Sequence, residues 1–312
     1  MLVLSLLILI PLCTVATYTW FGISKTPKVS DMEMTINANP GFQLSWQADT
    51  PDDEWSQQLA FVDVLEDETV LTPVTWVDGE KAFYTAKYGV DGRIVDVSER
   101  LDDDRDSNGQ DGHYLKFTFY GKTEQPVKVL LAPAVSSVDG TSSAGTYLIG
   151  KPIWQTDTKT HEDGGAGAQN AVRVGLKITK LDDELNEMGG SEFYVYEPNA
   201  DGHVDGSVGY IPTTAIGGGA LVPENRLITQ TTTSWRESDP VEHGVVVRTP
   251  GEFNKDPQLF NLDAMQRVKI DVYIWLEGMD VDCVNAVDNA KLFANLQFDA
   301  TTQSDSGLVP IQ

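Results

Sequence analysis

Cysteine is nearly absent from this 312-residue chain, which has only Cys13 and Cys283. Cys13 falls inside an apolar N-terminal run, which leaves Cys283 alone. No intramolecular disulfide is expected, and a disulfide-stapled secreted mini-domain is excluded. Basic residues are also scarce: 22 Lys and Arg face 47 Asp and Glu, for a formal charge of −25. A surface of that sign repels phosphate backbones and anionic headgroups, so nucleic acid is not an expected partner. It suits a protein bathed in divalent cations outside the cell.

Signatures of catalysis are missing as well. The four histidines, His113, His161, His203 and His243, lie in or beside loops, and none has another within five residues, so no zinc-protease helix is encoded. There is no Gly-x-Ser-x-Gly elbow. Gly217-Gly218-Gly219 is not followed by the Lys-Ser/Thr that a phosphate loop needs. No local signature singles out a glycosidase pair among so many carboxylates. Cys283 reads as a small buried hydrophobe rather than a nucleophile. The expectation is a protein that is not an enzyme.

What the chain does have is a core. Hydrophobic residues make up 41% and aromatics 9%, enough to rule out wholesale disorder. Residues 2–24 carry no charge, and Leu2 to Ile10 is a continuous apolar run followed by Pro11 and the small residues Thr14-Val15-Ala16-Thr17. This reads as a secretory signal over 1–19, without the usual basic residue ahead of it. The rival is a retained membrane anchor, since the uncharged stretch is just long enough to span a bilayer. Cys13 follows Pro11-Leu12, which does not suit a lipobox. Either way the expected location is secreted or cell-surface.

Period-two alternation recurs along the chain. In Arg267–Glu277, Val268, Ile270, Val272, Ile274 and Leu276 share one face. Val172, Val174, Leu176 and Ile178 do the same with Arg173 and Lys177 outside, as do Leu115, Phe117 and Phe119. Such alternation specifies half-buried strands. Shorter candidates are Met34–Ile36, Phe42–Trp46, Val127–Leu131, Phe193–Tyr196, Gly244–Arg248 and Leu292–Phe298. Asp182–Met188 suits a short helix or a polar turn, and Val281–Asn289 a helical turn. Gly, Asp, Asn, Ser and Pro clusters punctuate the rest. The fold class is therefore all-β: a single jelly-roll-like β-sandwich over 35–300 with long loop insertions at 96–112, 135–146, 155–170 and 197–226, and a flexible polar tail at 301–312.

One loop has the makings of a metal site. In the run 102–112, Asp104, Asp106 and Asn108 alternate ahead of Gly109, which is the first half of a calcium loop; Asp102 or Asp111 would complete the shell. The twelfth position is Leu115 rather than Glu, so this is no EF-hand. The bland alternative is a solvated acidic turn. Asn199, Asp201, Gly202 and Asp205 form a weaker version that turn chemistry explains. Tyr194 with Tyr196, and Tyr273 with Trp275, stand opposite the apolar faces of their strands; they would stack on sugars, meet a neighbouring subunit, or form a second buried face.

The junction Thr17-Tyr18-Thr19-Trp20-Phe21 after an apolar run resembles exported Gram-positive proteins of the TasA/camelysin type, in which an aromatic pair begins the mature chain. The late block from Ile274 to Cys283, with Trp275-Leu276-Glu277-Gly278, looks like a recurrent motif of exported proteins in the same bacteria. Thr19 departs from the usual Ala at the cut, and cleavage after Ala16 is the alternative. The resemblance covers about the first 45 residues and the last strands. It implies a jelly-roll subunit of extracellular filaments or biofilm matrix, assembled by donating a mature N-terminal strand to the next copy. Here that donor is residues 20–34, with Trp20, Phe21, Ile23 and Val29 as its apolar anchors. The metalloprotease label attached to some camelysin-type proteins does not carry over, because the zinc helix is missing. The competing expectation is a calcium-stabilised adhesin or carbohydrate-binding module.

Overall fold

Alternating apolar residues become strand through most of the chain that the structure describes. The structure is a computed structural model, and it describes residues 28–29, 31–60, 70–77, 82–88, 94–103, 107, 112–132, 135–136, 143–150, 152–153, 166–167, 172–197, 220–223, 258–278, 283, 291–302 and 309–310. The regular elements among them are all strands: β1 (Asp31–Ala38), β2 (Gln43–Ser45), β3 (Gln58–Ala60), β4 (Pro73–Val77), β5 (Ala82–Tyr88), β6 (Ile94–Arg100), β7 (Leu115–Lys122), β8 (Val127–Leu131), β9 (Val135–Ser136), β10 (Ser143–Ala144), β11 (Tyr147–Gly150), β12 (Pro152–Ile153), β13 (Ala166–Gly167), β14 (Val172–Leu181), β15 (Glu187–Glu197), β16 (Ala220–Pro223), β17 (Gln258–Leu262), β18 (Arg267–Glu277), β19 (Lys291–Thr302) and β20 (Val309–Pro310). The protein is all-β, as its periodicity specifies.

Two sheets form the body. The seven-stranded sheet runs β17-β8-β19-β1-β3, with β11 and β20 also on β19. The nine-stranded sheet runs β16-β15-β14-β18-β4-β5-β6, with β7 also paired to β18 and β2 to β7. Antiparallel pairing dominates. Among the described residues, the parallel pairs between strands are β1 with β19, in register from Asp31↔Lys291 to Ala38↔Phe298, and the short contact of β4 with β18.

The sheets pack face to face on one continuous core that draws Met34 and Ile36 from β1, Phe117 and Phe119 from β7, Val174 and Leu176 from β14, Ile270 and Val272 from β18, and Leu296 and Phe298 from β19. Phe298 lies at the join, with ring centroids 6.0 Å from Phe42 and 5.7 Å from Phe119. Each fully buried side chain of this size stabilises the fold by about 1.5–3 kcal/mol. Phe42 needs a bare backbone opposite it: a Cβ on Gly121 would stand 2.1 Å from its ring.

Several side chains take a different side from the one their spacing suggests. Tyr194 and Tyr196 face the inner core, not the outer surface, because the pairing Leu176↔Tyr194 and Val174↔Tyr196 puts them on the face of the β14 aliphatics. Their hydroxyls reach the opposite sheet: Tyr196 donates to Thr146 O at 3.2 Å, and the Tyr194 hydroxyl lies 2.8 Å from Leu259 O. Arg173 is buried rather than outside. The Asp182–Met188 stretch resolves into a hairpin turn, with Asn186 N donating to Asp182 Oδ1 at 2.8 Å and Leu185 in left-handed backbone. The first insertion begins later than residue 96, because β6 continues to Arg100; β16 lies inside the 197–226 stretch. At the far end, β19 runs to Thr302 and β20 pairs back onto it.

Candidate functional site

The outer face of the nine-stranded sheet is not left to solvent. The meander β4–β5–β6 leaves β18 at Leu276–Glu277 and folds over that face, creating a second, aromatic-rich core from Val74, Trp76, Phe83, Leu101, Tyr114, Val195, Tyr273 and Trp275. This is why the alternation of β18 fades: from Asp271 onward it is buried on both faces. Tyr273 and Trp275 are thus a second buried face, the third of the possibilities open in the sequence. Phe83 is the hub, with centroids 4.9 Å from Trp76, 4.4 Å from Tyr114 and 5.1 Å from Trp275.

Burying that face carries charges inward. Glu277 is buried and accepts from Trp275 Nε1 at 2.9 Å. Arg173 pairs across the strands with Trp275 and donates from Nη1 to Val172 O at 3.1 Å. Hydrogen bonds of this kind are what make buried charge tolerable.

Where the meander meets β14 and β15, the aromatic core opens into a cleft of about 480 Å³. Trp76, Phe83, Phe193 and Tyr273 line its apolar side, and Arg100, Asp102, Asp103, Lys177 and Ser191 its polar side. Trp76 and Phe193 stack at 4.6 Å with an interplanar angle of 19°. Gly175 allows this, because a Cβ there would stand 2.7 Å from the Phe193 ring. The Trp76 indole N–H is buried and has no acceptor among the described residues.

Asp103 organises the polar side. It accepts from the Tyr114 hydroxyl through Oδ1, from the Tyr273 hydroxyl at 3.0 Å through Oδ2, and from Lys116 Nζ at 2.9 Å. Burial pushes its carboxyl up, but the donors Tyr114, Lys116 and Tyr273 outweigh burial and hold it below the usual carboxylate range. Burial, with the charges of Asp103 and Asp271, pushes the Tyr273 phenol far up, so it stays a donor. Ser107 donates to Asp103 O and bridges to Tyr114. Asp103 and Tyr114 therefore clamp the neck of the acidic loop against the sheet.

Of the candidate calcium ligands, Asp102 is described: it is exposed and lines the cleft. Asp104, Asp106, Asn108 and Asp111 lie outside the described residues, as do Asn199, Asp201 and Asp205. No group of three or more His, Cys, Asp or Glu gathers among the described residues. Asp103 is the one member of the acidic run whose role is visible, and spacing alone passes over it, because its partners Tyr114 and Tyr273 lie 11 and 170 residues away. His113 sits beside Thr72, with Nδ1 2.7 Å from its hydroxyl. Cys283 is buried in the inner core, where it adds apolar volume.

Among the donor anchors, Val29 is described. It is buried in the chain's own inner core and makes a two-way backbone bridge with Leu71, at 3.0 and 2.8 Å. Residues 31–34 of the donor segment already belong to β1. Trp20, Phe21 and Ile23 lie outside the described residues, as do the signal segment 1–19 and Gly244–Arg248.

Comparison with known protein families, with curated proteins and with solved structures gives no match.

Proposed function

We propose that this chain is an exported, non-catalytic structural subunit of an extracellular filament or matrix, with a sandwich of jelly-roll type, assembled by strand addition between copies. The observation that carries the reading is the place of β1. This strand completes the seven-stranded sheet by pairing with β19, which lies about 260 residues later in the chain. Pairing so remote in sequence depends little on the covalent link, so the same strand supplied by another copy makes the same ladder. Val29 seats in the core just ahead of it, and among the described residues the sheet paths end at β17 and β3 and at β16 and β6, edges that an added strand would extend.

Deleting residues 20–28 removes the donor anchors Trp20, Phe21 and Ile23, which would seat the donated strand in the next copy, and leaves β1 itself intact. The expected outcome is a folded monomer with the circular dichroism of the parent and no filaments in negative stain. Filaments that persist overturn strand donation from this end.

Within the same reading, Asp102, Asp104, Asp106, Asn108 and Asp111 form a calcium site in the loop whose neck Asp103 and Tyr114 close. A cation that binds only the folded state raises stability by about 2.7 kcal/mol at a hundredfold excess over Kd. Melting curves with calcium and with chelator check this, and an unchanged midpoint removes calcium from the proposal.

A further inference from the structure

The cleft between the β4–β6 meander and the β14–β15 hairpin is separate from the strand edges invoked above. We propose that it binds a neutral glycan, seating a pyranose ring on the Trp76–Phe193 stack. Four features of the cleft point to that ligand class.

Its apolar side is mainly aromatic, and of the stacked pair the half-buried Phe193 is the more exposed ring. The flat C–H face of a pyranose is the ligand surface that packs on such rings. Its polar side balances: Arg100 and Lys177 donate, Asp102 accepts, and the Ser191 hydroxyl, 2.7 Å from that of Thr179, does either. Sugar hydroxyls are donors and acceptors at once, and a rim of mixed sign matches them. An anionic ligand would face Asp102 within a chain of net charge −25, and a purely apolar one would desolvate the charged rim without compensation.

The third feature is the Trp76 indole N–H, a buried donor on a cleft-lining ring that has no acceptor among the described residues. Such a group is costly to leave unmade, and a ligand oxygen that reaches it removes the cost. The fourth is preorganisation. Gly175 leaves room for the Phe193 ring, and Asp103, saturated by Tyr114, Tyr273 and Lys116, holds the neighbouring chain in place as a positioning residue. The volume, about 480 Å³, is within the range of small-ligand sites.

The test is a titration of the full-length protein, in chelator, with neutral tetrasaccharides of glucose, galactose, mannose and N-acetylglucosamine and with tetragalacturonate as the anionic control. Calorimetry and tryptophan fluorescence read the binding. At least one neutral tetrasaccharide is expected to bind, to shift the emission, and to do so equally in the 20–28 deletion, which separates this site from assembly. Asp102→Ala and Phe193→Ala should each weaken that binding about tenfold, equivalent to ~1.4 kcal/mol. Asp102 is exposed, so in chelator its variant is expected to lose less melting temperature than Phe193→Ala, and its circular dichroism reports that it folds. Failure of every neutral tetrasaccharide to bind, tighter binding of tetragalacturonate, or an affinity unchanged by Asp102→Ala together with Lys177→Ala would each overturn the proposal.

Discussion

The two cores of this protein sit back to back on the same strands yet are built differently. The inner one, between the sheets, is largely aliphatic, spans both sheets and is sealed by Phe42, Phe119 and Phe298. The outer one is small and mostly aromatic, and a single meander that touches β18 over two residue pairs covers it. The inner core is closed by long ladders, the outer by ring contacts and the carboxylate of Asp103. The difference separates what holds the sandwich together from what shapes a surface upon it.

The largest effect should come from emptying the inner core. Phe298→Ala removes the ring that contacts both Phe42 and Phe119 and is expected to cost about 3–5 kcal/mol in urea unfolding, as one global transition. Phe83→Ala empties the outer core instead. Its signature should be local: amide exchange rises in β4–β6 while β18 and β19 stay protected. Uniform loss of protection would show that the two cores are one cooperative unit.

A smaller pair of substitutions sharpens the comparison. Gly121→Ala forces a methyl into Phe42, which is hemmed in by Phe260 and Phe298, and should cost about 1–3 kcal/mol. Gly175→Ala pushes on Phe193, whose ring is only half-buried, and more lightly on Trp275, which the new methyl would meet at 3.2 Å. The Gly175 variant is therefore expected to lose less stability in thermal unfolding, and to alter the cleft rather than the fold.

The smallest effect is electrostatic and confined to the outer core. Asp103 has a depressed pKa in the folded protein, so the stability it confers is present above the unfolded value, ~3.9, and is lost as pH falls from there through the folded value. Tyr273 runs the other way: its raised pKa means that stability is full below the unfolded value, ~10, and declines as pH rises past it. Asp103→Asn should flatten the acid limb of a stability-versus-pH curve by ~1 kcal/mol, a modest figure because the carboxylate is still 38% exposed and water screens it. An acid limb identical to the parent's would show that the clamp contributes nothing.

How much of this was legible in the residues follows the same division. The inner faces of β7, β8, β14, β18 and β19 stand in the sequence as period-two runs, because one buried face of a strand leaves that mark. A strand buried on both faces leaves none beyond its apolar content, so Arg173, Asp271 and Glu277 read as solvent-facing although they are buried. Alternation also says which residues share a side but not which side is inward. By spacing alone Tyr194 and Tyr196 group with the outer aromatics, and their register with β14 places them inside. The cleft was the least legible part. It gathers Trp76, Arg100, Lys177, Phe193 and Tyr273 from five strands, and no local pattern connects them.

The parallel pairing of β1 with β19 also sets an order of events. The first described strand cannot complete its ladders until residues 291–298 exist to receive it. Closing so large a loop comes late, because its entropy must be met before the contact returns anything. A growing chain therefore carries β1 with β3 alone beside it until residues 291–298 have been made.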